Sequence, residues 1–196
     1  MTTANKVTVL RILLVPFFIY LLLEYRETGE EWRRWSAFGC FAVAAVLDGV
    51  DGFIARRFHQ KSELGAVLDP LADKLLLVSA LIMLGLPHDH LHPLPLWLNL
   101  TVISRDVLLV LGLGVIQFTV GSARVRPRWT GKCATVAQMS VVLWCLLKWP
   151  APVQRLLAVS AALLTAVSGV QYIWDGLGQL SASPRSAATP EQHQRD

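Results

Sequence analysis

Six apolar runs, each close to the length of a bilayer crossing, leave this chain few ways to fold. A span needs roughly 20 mostly apolar residues, about 30 Å of helix at 1.5 Å per residue. The runs fall at 7–25, 33–57, 66–86, 94–118, 131–149 and 151–174, so the 196 residues supply six spans and little else. Composition agrees: 54% of the residues are hydrophobic and 16% are charged, against about 25% charged in an ordinary soluble domain. The expectation is an all-α polytopic membrane protein with six transmembrane helices, forming one domain over residues 1–178. The first run lacks a small-residue cleavage site and is followed by five more, so it reads as a retained span and not a signal peptide. The polar, proline-containing segment 179–196 reads as a disordered tail. Cys40, Cys133 and Cys145 are odd in number and lack CxxC spacing, which points to neither disulfides nor a zinc site.

An even number of spans puts both termini on one side. Lysines and arginines in short loops mark the cytoplasmic side. Lys6, Arg56, Arg57, Lys61, Arg124, Arg126, Arg128 and Lys132 all fall on the side of the N-terminus, with Glu63 as the one clear acid. Both termini and those loops are therefore expected in the cytoplasm. No repeat, Gly-rich phosphate loop or second domain is visible, and no nucleic-acid partner is expected.

Four aspartates stand out in this apolar chain, in DGVDGFIARRFHQKSELGAVLDPLAD at 48–73. Asp48 and Asp51 are three apart near the end of the second span. Asp69 and Asp73 are four apart at the start of the third, so each pair shares one helix face. A short loop joins the two helices and brings the pairs to one depth at the cytoplasmic edge. Each ionised aspartate within the hydrocarbon costs about 2.5–3.5 kcal/mol by insertion scales, and mutual repulsion adds to that. A cation is needed. Carboxylate oxygens suit hard divalent ions, and Mg2+ in particular is often held by a few carboxylates together with substrate phosphates. Gly52, Ala55 and Gly65 lack bulk beside the cluster, and Arg56 adds a cation suited to phosphate oxygens. A metal cluster, a phosphate-pairing arginine and a glycine-lined slot suggest a nucleoside diphosphate handled beside lipid. The rival reading is an ion-coupled transporter, because intramembrane carboxylates also mark ion pathways.

Spacing favours the enzyme. Written out, the stretch is D-x-x-D-G-x-x-A-R-x8-G-x3-D-x3-D, and it resembles the signature of the CDP-alcohol phosphotransferase family at every fixed position. The resemblance implies a six-helix CDP-alcohol phosphotransferase fold, commonly a homodimer. It also implies transfer of a phosphatidyl or phosphoalcohol group from a CDP-linked donor to an alcohol, with release of CMP. By position, Asp48, Asp51, Asp69 and Asp73 would hold two Mg2+ or Mn2+ ions, and Asp73 would also act as general base. Gly52, Ala55 and Gly65 would border the cytidine, and Arg56 would meet the diphosphate. The location implied is a bacterial inner membrane, or the matrix side of a mitochondrial one, with membrane lipids as surroundings.

The acceptor is a separate question. DGFIARR and LDPLADK, with Pro70, Ala72 and Lys74, look like the branch that makes phosphatidylglycerophosphate or cardiolipin from CDP-diacylglycerol. Similarity extends through NKVTVLRILLVP, ISRDVLL and RVRPRWTGKCATVAQM, hence over most of residues 5–140. Phosphatidylglycerophosphate synthases usually show Arg-Glu where this chain has Arg105 and Asp106, and Lys-Thr where it has Cys133 and Ala134. On those departures the favoured reading is cardiolipin synthase acting on phosphatidylglycerol. The alternative is phosphatidylglycerophosphate synthase acting on glycerol 3-phosphate. Arg105 lies mid-span, where an unpaired guanidinium is costly, so it should pair with an aspartate or bind acceptor phosphate, with Asp106 as a salt-bridge partner. Lys132, Arg124 and Arg126 are further acceptor candidates, although a basic cytoplasmic loop is also what topology and anionic headgroups require. Asn99 and Gln138 read as interhelical hydrogen bonders, Gly112 and Gly114 as packing contacts, and the tryptophans as an aromatic belt.

Overall fold

The protein's computed structural model describes residues 3–58, 63–87, 89–120 and 129–181, with side chains over 9–47, 74–87, 89–112, 114 and 129–176. Six α-helices account for nearly all of it: α1 Thr3–Thr28, α2 Glu31–Phe58, α3 Glu63–Gly85, α4 Leu96–Val120, α5 Trp129–Leu146 and α6 Ala151–Ser181. Each expected apolar run is a helix, and no strand occurs among the described residues. Among the same residues, the 26-residue stretch Ala151–Gly176 is the one helix long and apolar enough to cross a membrane by length and composition.

The helices pack in two sets. α1 lies against α2 and α3, while α6 lies against α4 and α5, and the sets meet where α2 and α3 touch α5 and where α3 touches α4. Phe18, Leu22, Phe41, Leu77, Leu81 and Leu84 are buried in the first set, with the Phe18 and Phe41 rings 5.8 Å apart. Ala158 and Ala161 are fully buried on α6, small enough for close helix approach. The outward faces are also apolar: Leu13, Phe17, Val110, Leu111, Leu156 and Leu163 are all exposed. An apolar surface this extensive is unusual in water and ordinary against lipid. Every tryptophan except Trp144 is exposed as well.

Three turns gather at one end of the bundle and are tied together there. α1 closes at Gly29, whose φ of 68° is the left-handed conformation of a helix C-terminus and whose N–H donates to the Tyr25 carbonyl at 2.8 Å. A Cβ on Gly29 would also stand 2.9 Å from the His90 ring. α5 ends at Leu146, short of the expected 149, because Lys148 adopts a left-handed φ of 55° and Pro150 cannot continue the helix. Buried Arg34 of α2 donates Nη1 to the Leu146 carbonyl at 2.5 Å and Nε to Glu31 at 2.7 Å. Lys148 donates to the other oxygen of Glu31 at 2.5 Å. The Lys148 ammonium, then Arg34, hold the Glu31 carboxyl below its ordinary range, and Glu31 in turn raises Lys148. The His92 carbonyl accepts from Gln154 Nε2 at 3.0 Å and from Cys145 Sγ at 3.4 Å. These contacts join α2, α5, α6 and the 86–95 loop.

α6 runs to Ser181, past the expected 174 and into the segment expected to be a disordered tail. Helix continuation requires no apolarity, and after Pro152 in the first turn the next proline in the sequence is Pro184. Residues 182–196 lie outside the described residues. Asn99 and Gln138 bond between helices as expected, Asn99 Nδ2 to the Leu81 carbonyl at 2.8 Å and Gln138 Nε2 to Thr165 Oγ1 at 2.7 Å. Gly112 and Gly114 are not packing contacts within the chain, since a Cβ on either would meet nothing within 4 Å.

Candidate active site

The aspartate stretch lies at the end of the bundle opposite those turns. Asp48, Asp51, Gly52, Ala55 and Arg56 stand on α2, and Gly65, Asp69 and Asp73 on α3. Their side chains fall outside the described residues; their register does not. α2 ends at Phe58 and α3 begins at Glu63, so depth can be measured along both helices from a shared end. Asp51 lies seven residues before Phe58 and Asp69 six after Glu63, about 10 and 9 Å in at 1.5 Å per residue. Asp48 and Asp73 are each ten residues in, about 15 Å. The four carboxyl-bearing positions thus form two matched levels on helices that touch. All four supply hard oxygen donors, a set that fits a divalent cation and suits a soft one poorly.

Next in sequence to Asp73, Lys74 begins a described polar array that crosses the bundle. Its Nζ donates to Asp106 Oδ1 and Oδ2, both at 2.6 Å. Asp106 Oδ1 also accepts from Arg105 Nη1 at 2.7 Å. Arg105 Nη2 donates to Ser168 Oγ at 3.1 Å, and the guanidinium lies 5.6 Å from the centre of the Tyr172 ring. The expected pairing of Arg105 with Asp106 is therefore present. Arg105 is 8% exposed, and its Nε is buried with no hydrogen-bond partner among the described residues. Two glycines make room for it: a Cβ on Gly131 would stand 3.4 Å from Nη2, and one on Gly169 would stand 3.3 Å from Cγ. Thr130 Oγ1 donates to Gln171 Oε1 at 2.7 Å one turn away, fastening α5 to α6 at this level.

Lys132 is exposed, with its ammonium 5.3 Å from the centre of the Trp129 ring. Arg124 and Arg126 lie outside the described residues. The sequence reading missed Ser168 and Tyr172, which hold Arg105 from α6, and Lys74 as the second partner of Asp106. Ser168 and Tyr172 sit four apart in an apolar helix and carry no motif. Lys74 carried a signal, as a cation directly after Asp73.

Comparison with known proteins adds identity to this geometry. The family model described as CDP-alcohol phosphatidyltransferase matches residues 1–168. A protein of Mycobacterium tuberculosis (strain ATCC 25618 / H37Rv) named "Probable phosphatidylglycerophosphate synthase" is 35% identical over 189 residues, covering 94% of this chain and 86% of that protein. The "CDP-diacylglycerol--glycerol-3-phosphate 3-phosphatidyltransferase" of Escherichia coli (strain K12) is 35% identical over 173 residues, covering 85% of this chain and 90% of that enzyme. Its Shigella flexneri serotype 5b (strain 8401) namesake is 36% identical over the same length. These names match the alternative acceptor reading and not the favoured cardiolipin synthase. Asp106, which stands where Arg-Glu was the expected pattern, bonds the Arg105 guanidinium.

Proposed function

From membership of the CDP-alcohol phosphatidyltransferase family, to which this chain belongs, we propose that it transfers the phosphatidyl group of CDP-diacylglycerol to glycerol 3-phosphate, releasing CMP and forming phosphatidylglycerophosphate. The observation that carries the acceptor is the agreement of relatives covering 94% and 85% of the chain. A second feature supports it. Arg105 and Lys74 outnumber their shared carboxylate, which suits an acceptor that brings a phosphate dianion.

In this reading all six helices cross the bilayer, with the aspartate end in the cytoplasm, supported by the basic residues on that side and the apolar outer faces. Asp48, Asp51, Asp69 and Asp73 hold the divalent cations, supported by a donor set made wholly of carboxylates at two matched levels. Bound there, Mg2+ or Mn2+ would neutralise charge on the diphosphate and on the departing CMP. Arg56 pairs with diphosphate oxygens, and Gly52, Ala55 and Gly65 leave the backbone open to the cytidine. Arg105 receives the acceptor phosphate, which fixes the glycerol hydroxyl, and Asp73 takes its proton as it attacks the donor phosphorus. Lys132, exposed beside Trp129, sits at the rim and attracts anionic headgroups.

The test uses the purified protein in detergent with CDP-diacylglycerol and Mg2+, offered glycerol 3-phosphate or phosphatidylglycerol in parallel. CMP and a phosphatidylglycerophosphate product are expected with glycerol 3-phosphate, and both should vanish with a chelator. CMP with phosphatidylglycerol alone would overturn the acceptor assignment, and no CMP with either would overturn the transferase reading.

A further inference from the structure

The array Lys74–Asp106–Arg105 spans the boundary between the two helix sets. Lys74 stands on α3, which packs chiefly on α1, and Arg105 and Asp106 stand on α4, which packs chiefly on α6. One carboxylate thus ties the half that carries all four aspartates to the half that carries the buried guanidinium. Both of its oxygens are used, Oδ2 by Lys74 and Oδ1 by Lys74 and Arg105 together. The Glu31 cluster at the opposite turns also sets two cations on one carboxylate, but its Glu31 and Lys148 side chains are 52% and 36% exposed, so water carries the excess charge. At Asp106 two cations share one anion, leaving a net charge of +1 among the three, with the side chains of Arg105 and Asp106 only 9% and 14% exposed. Part-buried excess charge is costly unless an anion completes it.

The array has a closed end and an open end. Arg105 is held by Asp106, by Ser168 and by the Tyr172 ring, with Gly131 and Gly169 leaving room beside it and its Nε without a partner among the described residues. Lys74 is 34% exposed on its side chain and adjoins Asp73 in sequence. An anion entering beside Asp73 therefore meets the ammonium of Lys74 first and the oriented guanidinium behind it.

We infer that Asp106 is a positioning residue for the acceptor: it holds Lys74 and Arg105 as one oriented, net-cationic pair that receives the phosphate monoester of the acceptor beside Asp73. The inference rests on the glycerol 3-phosphate reading and adds a residue to it that touches no substrate. Asp106 acts by aiming two donors and by holding α3 against α4. Losing it leaves both cations in place but free to turn outward.

The experiment compares wild type with Asp106→Asn and Asp106→Glu, measuring kcat and the KM of each substrate by CMP release. Asp106→Asn is expected to raise the KM for glycerol 3-phosphate about ten-fold or more, the loss of one charge-assisted contact, with the KM for CDP-diacylglycerol within about two-fold. Asp106→Glu, which keeps the charge, should recover most of the loss. Equal rises in both KM values, a fall in kcat with the acceptor KM unmoved, or a glutamate variant no better than the asparagine one would overturn the inference. Should Asp106→Asn fail to fold, Ser168→Ala removes the other anchor of the guanidinium. A raised acceptor KM is expected there as well, and an unchanged one would overturn the inference. If wild type uses phosphatidylglycerol alone, the acceptor assignment fails while the same KM comparison, run with that phosphodiester, still decides the role of Asp106.

Discussion

Replacing Gly85 with alanine tests how the two helix sets are joined beside the turn between α3 and α4. Gly85 is the last residue of α3 and has no left-handed φ, so its backbone accepts a side chain without strain. Space does not. A Cβ there would fall 2.0 Å from Asn99 Nδ2 and 3.2 Å from Cγ. Asn99 is 6% exposed and donates that Nδ2 to the Leu81 carbonyl at 2.8 Å. The amide must therefore swing away, which breaks a buried hydrogen bond and leaves a polar group unsatisfied, at about 1–3 kcal/mol. Alanine's higher helix propensity returns up to about 1 kcal/mol, less at a helix end. The net loss is about 1–2 kcal/mol, or about 2–8 °C in Tm for a chain of this size. Intrinsic fluorescence of the seven tryptophans during a thermal ramp in detergent reads it. Asn99→Ala removes the clashing atoms, so Gly85→Ala/Asn99→Ala should be no less stable than Asn99→Ala alone, a coupling of about 1–2 kcal/mol. Gly85→Ala as stable as wild type, or a strictly additive double variant, would refute the reasoning.

Two further outcomes follow from the opposite end of the bundle. Glu31 has a lowered folded pKa, so its stabilisation is present above the ordinary 4.5 and lost as pH falls through the lower folded value. Lys148 has a raised one, so its contribution is present below 10.5 and lost as pH rises through the higher value. The pair is half-exposed and therefore screened, so Glu31→Gln should flatten the acid limb of the Tm–pH curve and reduce its salt dependence, with little change at high salt. An acid limb and salt response identical to wild type would remove the bridge from the stability of this end. Arg34→Met keeps the apolar stem but strips the buried donor from the Leu146 carbonyl, costing about 1.5–3 kcal/mol. It should lower Tm more than Glu31→Gln does, and a smaller drop would mean that the α5 terminus finds another donor.

What the sequence made legible depended on how far apart the interacting residues lie. Asp48 with Asp51, and Asp69 with Asp73, are related by helix periodicity, so their helices and matched levels follow from spacing and one short loop. Asn99 and Gln138 were legible because an amide within an apolar helix has to bond across to a neighbour. Arg105 was legible as a buried charge for the same reason. Its partners were less so: Asp106 is adjacent, but Lys74 reaches that carboxylate from 32 positions away and Ser168 reaches the guanidinium from 63 away, separations that only tertiary packing closes. On the acceptor, the relatives' names favour the alternative reading, glycerol 3-phosphate, over phosphatidylglycerol. An aspartate in place of glutamate looks like a change of branch in a linear pattern, yet in the folded protein its carboxylate bonds Arg105 directly.

The distribution of polar contacts also bears on why the site can carry so much charge. Within a bilayer, helices gain little hydrophobic drive from packing on one another, so small residues and interhelical hydrogen bonds must hold them. Such bonds average only about 0.6 kcal/mol each. Clustering carboxylates and cations at one end works against association there. Here the uncharged ties lie along the bundle, at Asn99–Leu81 and Gln138–Thr165, and a solvent-exposed charged tie lies at the far turns, where Arg34 and Lys148 close on Glu31. At the aspartate end Asp106 bridges the two halves, and Asp48, Asp51, Asp69 and Asp73 stand on α2 and α3 on the same side. Substrate and metal binding at the aspartate end, as proposed above, should stiffen that end while leaving the opposite turns unchanged. Hydrogen exchange that slows equally at both ends on adding CDP-diacylglycerol and Mg2+ would contradict that division.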